Sequence, residues 1–181
     1  SRTWSCGPTY ELAAREFEYV VEDLTRLLGR QVMSGAVHGQ PAGRRSLRLP
    51  WGSEVVTKSA ESPESLLGEA LDLLIVSEAS RVRREVWERF LFPRLGTRRG
   101  RAVIPTTPAG CESWVHEAWR RGLDDREPEW ASFGPFATIE NPSFDPAEAL
   151  AAQRILPPEV FAEQYEGRLV RPSGLVYPEF L

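Results

Sequence analysis

The clearest pattern along the chain is a long amphipathic segment near its start. Between Tyr10 and Leu28 apolar side chains recur every three or four residues, which is the spacing of one face of an α-helix. Pro8-Thr9 begins this segment, and Gly29 follows it as a stop signal. A short run that reads as a strand, Thr3–Gly7, comes just before. The pattern predicts a strand, a tight turn and a helix, which is half of a β-α-β unit.

Two further apolar runs predict strands that end abruptly at polar residues. Leu71–Val76 is aliphatic and gives way to Ser77-Glu78. A second run begins at Ala102 and ends in the hydroxyls of Thr106 and Thr107. The two runs are separated by about one crossover connection, so we expect parallel neighbouring strands that present these groups at one edge of a sheet.

The rest of the chain alternates short predicted helices and strands. Ser46–Leu49 and Ser53–Ser59 flank a Pro-Trp-Gly turn, which predicts a β-hairpin insertion. Segment 34–43 is expected to be a polar link. Helices are expected over 62–65, 82–91 (ended by Pro93), 113–121, 145–155 and 158–166, and strands over 130–136 and in the tail 168–180. This alternation favours an α/β domain with a mostly parallel sheet flanked by helices.

Composition narrows the class of protein. The chain has 181 residues, of which 41% are hydrophobic and 27% charged, so one domain with a core of its own is expected. No apolar run approaches the ~20 residues needed to cross a bilayer, and the net charge of −4 argues against general affinity for nucleic acid. Two cysteines and two histidines give neither a disulfide framework nor a metal-ligand spacing. We expect no membrane segment and a reducing, cytoplasmic compartment.

The residues at the two strand ends suggest phosphate chemistry. A carboxylate at the end of a buried strand can orient and polarise a water molecule that attacks a phosphate, and Glu78 occupies such a position. Thr106 and Thr107 can hydrogen-bond the γ-phosphate or that water, and Pro108 stiffens the exit from the strand. In the alternative interpretation, Ser77-Glu78 only caps the helix that follows. The residues alone leave both interpretations open.

Six short motifs occur in an order that points to one family. They are, along the chain, Gly7–Ala13, Lys58–Gly68, Val76–Ala79, Thr106–Gly110, Asn141-Pro142 and Phe161–Gly167. Together they resemble the large terminase subunit of tailed bacteriophages over nearly the whole chain. Each motif is weak singly, but six in the family's order are fairly specific.

The resemblance implies a P-loop NTPase fold of the additional-strand, catalytic-glutamate class, incomplete at its N-terminus. Residues 1–167 would be part of the ATPase domain, and 168–181 would be a connector toward a nuclease domain. The whole protein would use ATP and Mg²⁺ to drive double-stranded DNA into procapsids in the bacterial cytoplasm. Its implied partners are the portal protein, the small terminase subunit and further copies of itself in a ring.

The same resemblance assigns roles to individual residues. Glu78 would be the catalytic glutamate, and Ser77 a weak magnesium-side residue that acts through water. Thr106, Thr107 and Pro108 would form the motif that senses the γ-phosphate and couples hydrolysis to domain movement.

Three departures from the family pattern limit these expectations. Ser77 stands where the family has an aspartate, so the strand end brings no second charge. No Gly-x-x-x-x-Gly-Lys-Ser/Thr loop occurs in the chain, and the nuclease carboxylates are missing as well. We therefore expect this chain alone to bind nucleotide weakly and to hydrolyse no ATP. We also expect an unpaired edge on the Thr106 strand, where the strand before the phosphate loop lies in the family.

Other residues are candidates for contact with DNA or phosphate. They are Thr9, Lys58, Arg98, Arg99 and Arg101, the arginines including a possible finger toward a neighbouring subunit. Solvated basic side chains are the simpler interpretation of the arginines. Two other functions stay open at this point: a helicase-like DNA translocase, and a non-catalytic remnant that acts as an interaction domain.

Overall fold

The computed structural model describes residues 1–40, 43–109 and 113–170. It divides the chain into two compact units, Ser1–Thr106 and Thr107–Leu181. The expected domain boundary after residue 167 falls inside the second unit and stays a prediction. The proposed connector motif and the strands expected in the tail lie largely outside the described residues.

The first unit is built on a six-stranded sheet. Its strands are β1 (Arg2–Gly7), β2 (Val37–Gly39), β3 (Arg45–Arg48), β4 (Glu54–Ser59), β5 (Leu73–Val76) and β6 (Arg101–Val103). They lie side by side in the order β2-β3-β4-β1-β5-β6. The four strands from β4 to β6 in this order are parallel, whereas β2, β3 and β4 pair antiparallel. The prediction of a mostly parallel sheet is confirmed, and the predicted hairpin, β3–β4, is part of the same sheet.

Short helices connect the strands of this unit, with one long exception. The α-helices are α1 (Tyr10–Leu28), α2 (Arg30–Met33), α3 (Arg84–Val86) and α4 (Pro93–Gly96). Pro63–Leu66 and Ala79–Arg81 form 3₁₀ turns, and Trp87–Leu91 forms a π-helical turn. None of the helices in the described ranges has both the length and the apolarity that crossing a membrane requires.

Helix α1 has the predicted limits and covers one face of the sheet. The Thr9 hydroxyl oxygen accepts a hydrogen bond from the Leu12 amide (3.3 Å) at its start, and Gly29 ends it with φ 84°. The Ser5 hydroxyl of β1 donates to the Ala13 carbonyl (2.7 Å) and joins the helix to the sheet. A hydrophobic cluster fills the space between α1 and the hairpin strands: Phe17, Met33, Ala36, Leu47, Leu49 and Val55.

Three local predictions are wrong for identifiable reasons. Segment 34–43 contains the edge strand β2, because its backbone pairs with β3 although its side chains are polar. Pro93 does not end the helical segment but opens α4, after the wide π turn in which the Phe92 amide donates to the Trp87 carbonyl (2.8 Å). Residues 130–136 form no strand, since Gly134 and Pro135 interrupt the segment and Phe133 and Phe136 are exposed.

The second unit is helical in its described part. Its helices are α5 (Trp114–Arg121), α6 (Pro146–Ile155) and α7 (Pro158–Gln164), with a 3₁₀ turn at Thr138–Glu140. The predicted cap is present, because the Asp145 carboxylate accepts from the Ala147 amide (2.9 Å) at the start of α6. The three helices confirm the sequence pattern to within two residues at each end.

Candidate catalytic edge of the sheet

The two strands that end in polar residues are parallel neighbours. Leu73, Leu74 and Ile75 of β5 stand opposite Arg101, Ala102 and Val103 of β6. The chain leaves both strands at the same, carboxyl edge of the sheet, with Ser77-Glu78 following β5 and Thr106 following β6. The expected adjacency of the two strand ends is therefore confirmed.

Glu78 adopts a backbone conformation that is rare for a residue with a side chain. Its φ of 47° and ψ of 46° are left-handed, and its side chain is only half-buried. Such conformations cost free energy and are concentrated at functional sites. The Glu78 carboxylate makes no capping hydrogen bond to the 3₁₀ turn that follows, and within the described ranges it has no hydrogen-bond or ion-pair partner. Helix capping therefore does not explain this glutamate, and its carboxylate is available to water or a ligand.

Thr106 connects the end of β6 to the turn that carries Glu78. Its hydroxyl oxygen accepts a hydrogen bond from the Ser80 amide (3.0 Å) and lies 2.9 Å from the Ser80 hydroxyl, to which it donates. The Ser80 amide is two residues beyond Glu78. A shift of either strand end would therefore be transmitted to the other through these hydrogen bonds.

Ser77 is fully buried and faces helix α1. Its amide donates to the Cys6 carbonyl of β1 (2.8 Å), and its hydroxyl donates toward the Leu12 carbonyl (3.1 Å) and the Glu16 carboxylate. No water can reach this hydroxyl in the observed arrangement. A magnesium-side role for Ser77 itself stays a prediction, and its burial counts against it.

The turn between β1 and α1 is tightly packed. A side-chain carbon on Gly7 would lie 2.6 Å from the Ala13 amide nitrogen, so only glycine allows the strand to approach the helix this closely. The Ser59 hydroxyl donates to the Pro8 carbonyl (3.1 Å), and Thr9 caps the helix. Thr9 thus has a structural role, and its contact with DNA stays a prediction.

Lys58 is buried rather than exposed to solvent. Its Nζ lies 4.3 Å from the centre of the Trp4 ring, donates to the Ser65 carbonyl (3.1 Å) and is 3.9 Å from the Glu69 carboxylate. Burial lowers the pKa of Lys58, and Glu69 partly opposes that shift. Because these contacts hold the ammonium inside the fold, the burial counts against the predicted contact with phosphate or DNA.

The candidate arginines lie at the opposite, amino end of the parallel strands. The Arg98 guanidinium is 3.3 Å from the Asp72 carboxylate, just before β5, and Arg101 begins β6. Six residues separate Asp72 from Glu78, roughly 20 Å of extended chain. Arg98 and Arg101 therefore cannot serve the Glu78 edge of their own subunit, and a finger toward a neighbour stays a prediction. Arg99 (φ 50°) lies in the loop between them.

Thr107 and Pro108 belong to the second unit, so their role beside Glu78 stays a prediction. The structure also brings in Glu16, which sequence reasoning missed. Its only signal was its place four residues after Leu12 on α1, and nothing in the pattern indicated which strand residue it would meet. Within the described residues, no group of three or more histidine, cysteine, aspartate or glutamate side chains could hold a metal ion.

Comparison with known proteins decides the family. No protein-family model matches the chain. The large terminase subunits of Thermus phage G20c and Thermus virus P23-45 are each 33% identical to it over 144 residues. The chain is a homologue of the phage large terminase subunit. The match covers 71% of the chain but only 30% of each relative, so this terminase homologue spans less than a third of their length.

Solved structures agree with this assignment. The ATPase domain of the Thermus phage P74-26 large terminase is 28% identical to the terminase homologue, with a TM-score of 0.72 over 94% of this chain and 77% of that one. A large terminase from another thermophilic bacteriophage, at 15% identity, shares the fold with a TM-score of 0.68 over 98% of this chain and 43% of that one. The terminase homologue thus has the P-loop NTPase fold of a large terminase ATPase domain.

Proposed function

We propose that this chain supplies the hydrolytic edge of the ATPase in a DNA-packaging motor. Glu78 orients and polarises the water that attacks the γ-phosphate of ATP. The observation that carries this proposal is the unpaired Glu78 carboxylate on a left-handed residue at the carboxyl end of β5. Phosphoryl transfer depends mainly on positioning and electrostatics, so a carboxylate held on a rigid strand suits the task.

Thr106 couples the state of this edge to the rest of the protein. Its hydrogen bonds to Ser80 tie the turn after Glu78 to the end of β6, from which the chain continues into the second unit at Thr107. Thr107 and Pro108 extend that connection. A change at the phosphate would therefore reach the second unit along the chain itself.

Nucleotide binding requires residues beyond those in this chain. The large terminase of the second thermophilic bacteriophage has been solved with ATP-γ-S and with ADP, which supports ATP as the ligand of the family fold. The chain has no phosphate-binding loop, so the phosphates would be held by a further part of a longer protein. Mg²⁺ would neutralise charge on the bound phosphates.

The sheet provides a place for that further part. In the described ranges β6 pairs only with β5, so its other edge is open, and Val103 is 54% exposed. An unpaired edge strand readily accepts another strand. We place there the strand that precedes the phosphate loop. Double-stranded DNA, a portal protein, a small terminase subunit and a ring of copies complete the proposed motor by analogy with the family.

The decisive experiment is an ATPase assay on the full-length protein with Glu78→Gln. The substitution keeps the size of the side chain and removes its charge, so turnover should fall by roughly a hundredfold or more while ATP binding is retained. Glu64→Gln, at an exposed glutamate of the same unit, is the matched control and should leave turnover unchanged. Normal turnover in Glu78→Gln would refute the assignment.

One observation favours a second function, a non-catalytic interaction domain. The family's strand-end aspartate is replaced by Ser77, whose hydroxyl is buried against α1. If the full-length protein neither binds nor hydrolyses ATP, this function replaces the motor. The relatives described above are terminases, which favours DNA packaging over a helicase-like translocase.

A further inference from the structure

Helix α1 brings a carboxylate to the strand position that has lost one. Ser77 follows β5 where the family resemblance leads one to expect an aspartate, and the Ser77 hydroxyl hydrogen-bonds the carboxylate of Glu16. Leu12 and Glu16 are one helical turn apart, so both groups that accept from Ser77 lie on the same face of α1. The sheet and the helix thus place a negative charge within hydrogen-bond reach of residue 77.

The two side chains differ in their access to solvent. Ser77 is fully buried, and its backbone is fixed by the hydrogen bond to the Cys6 carbonyl. Glu16 is only half-buried. Its Oε2 accepts from Ser77, while its Oε1 accepts no hydrogen bond from any residue in the described part of the chain. One carboxylate oxygen is therefore held by the fold, and the other can receive a ligand.

We propose that Glu16 supplies the charge missing at residue 77 and holds the water shell of a divalent cation at the catalytic edge, with Ser77 as its positioning residue. The inference rests on the function proposed above. Mg²⁺ is bound by hard oxygen ligands, with one or two carboxylates and several waters. A single anchored carboxylate fits such a water-rich site, and it needs no cluster of three protein ligands, which the described residues lack.

Charge repulsion explains why a serine and a glutamate suit each other here. Two carboxylates within hydrogen-bond distance repel, and one of them tends to take up a proton. An aspartate at residue 77 would meet this repulsion from Glu16 unless a cation lay between them. Ser77 instead donates a hydrogen bond, which favours the ionised form of Glu16.

The test uses Mn²⁺ as the probe and the isotope-labelled chain as the sample. Paramagnetic broadening of backbone amide signals should centre on residues 16 and 77–78. Glu16→Gln keeps an oxygen that can accept from Ser77 and removes only the charge, so it should raise the Mn²⁺ concentration needed for this broadening about tenfold or more. Glu22→Gln, at an exposed glutamate further along α1, is the control and should match the wild type.

A double variant separates a cation-binding role from a purely structural one. Ser77→Asp with Glu16→Gln returns the charge to the strand and should restore local broadening that Glu16→Gln alone has lost. Unchanged broadening in Glu16→Gln, or no recovery in the double variant when thermal unfolding shows it folded, would overturn the inference. The proposed function fails separately, through normal turnover of full-length Glu78→Gln, because that assay does not depend on Mn²⁺ binding to this chain.

Discussion

The two ends of the parallel strands are built in opposite ways. At the amino end, the Asp72 carboxylate accepts a hydrogen bond from the Arg2 amide (2.6 Å) and lies 3.3 Å from the Arg98 guanidinium. Arg2 also lies 3.5 Å from the Glu69 carboxylate. At the carboxyl end, the Glu78 carboxylate has no partner within the described ranges and its backbone is left-handed. The amino end satisfies its charges internally, whereas the carboxyl end leaves one charge available.

This difference separates stability from function within one sheet. Paired charges at the amino end stabilise the fold modestly, because exposed ion pairs are weak. The strained, unpaired residue at the carboxyl end adds nothing to stability and has value only if it acts on a ligand. Substitutions at the two ends should therefore have different consequences.

Gly7→Ala should have the largest effect on stability. The new carbon would lie 2.6 Å from the Ala13 amide nitrogen, so β1 and α1 would have to move apart at the carboxyl end of the sheet. We expect a loss of about 3 kcal/mol in the free energy of unfolding, measured by urea denaturation. Gly96→Ala, where an added carbon meets no atom within 4 Å, is the control. Equal stability of the two variants would contradict the close approach.

Thr106→Val should have a smaller effect, confined to the carboxyl end. The substitution keeps the shape of the side chain and removes both hydrogen bonds to Ser80. We expect a loss of about 1–2 kcal/mol in urea denaturation. Faster hydrogen exchange of the Ser80 amide should accompany it. Thr97→Val, at an exposed threonine, should leave both measurements unchanged. Unchanged exchange at Ser80 would show that the two strand ends are not coupled through Thr106.

Asp72→Asn tests the amino end through pH. The Arg2 amide, and to a lesser extent Arg98, hold the pKa of Asp72 below its ordinary value of 3.8. A lowered carboxyl pKa stabilises the fold above the ordinary pKa, and this contribution disappears as pH falls through the lowered value. The wild type should therefore melt at a higher temperature than Asp72→Asn at neutral pH, and the gap should close in acid. A gap that persists in acid would exclude the carboxylate charge as its cause.

Cys6 should give the smallest effect, because it lies between the two ends and reacts with nothing in the native state. Burial raises the pKa of the Cys6 thiol to about 12, and the nearby Lys58 only partly opposes this. In a Cys111→Ser background, a thiolate-specific reagent at about pH 8 should modify Cys6 only after unfolding. Modification of the native chain at the rate of a free thiol would show that β1 is not buried as described.

Sequence reasoning located the candidate site but not the contacts that define it. Ser77-Glu78 and Thr106 were found because buried aliphatic runs stop at them, and parallel neighbours bring such ends together. Burial of Lys58 could not be predicted, since its cover comes from Trp4 and Ser65, which are distant in sequence. The separation of Arg98 from Glu78 also depended on knowing which end of the strand each residue occupies.

The sequence by itself determined the local elements of this protein. Periodicity, Thr9 and Gly29 set the limits of α1, because helix spacing and capping depend on residues close together in the chain. Only the tertiary structure decided that Ser77 faces Glu16, that β6 has an open edge, and that Glu78 is left-handed and unpaired. These features depend on packing between segments far apart in the chain, and on backbone strain that the surrounding sheet maintains.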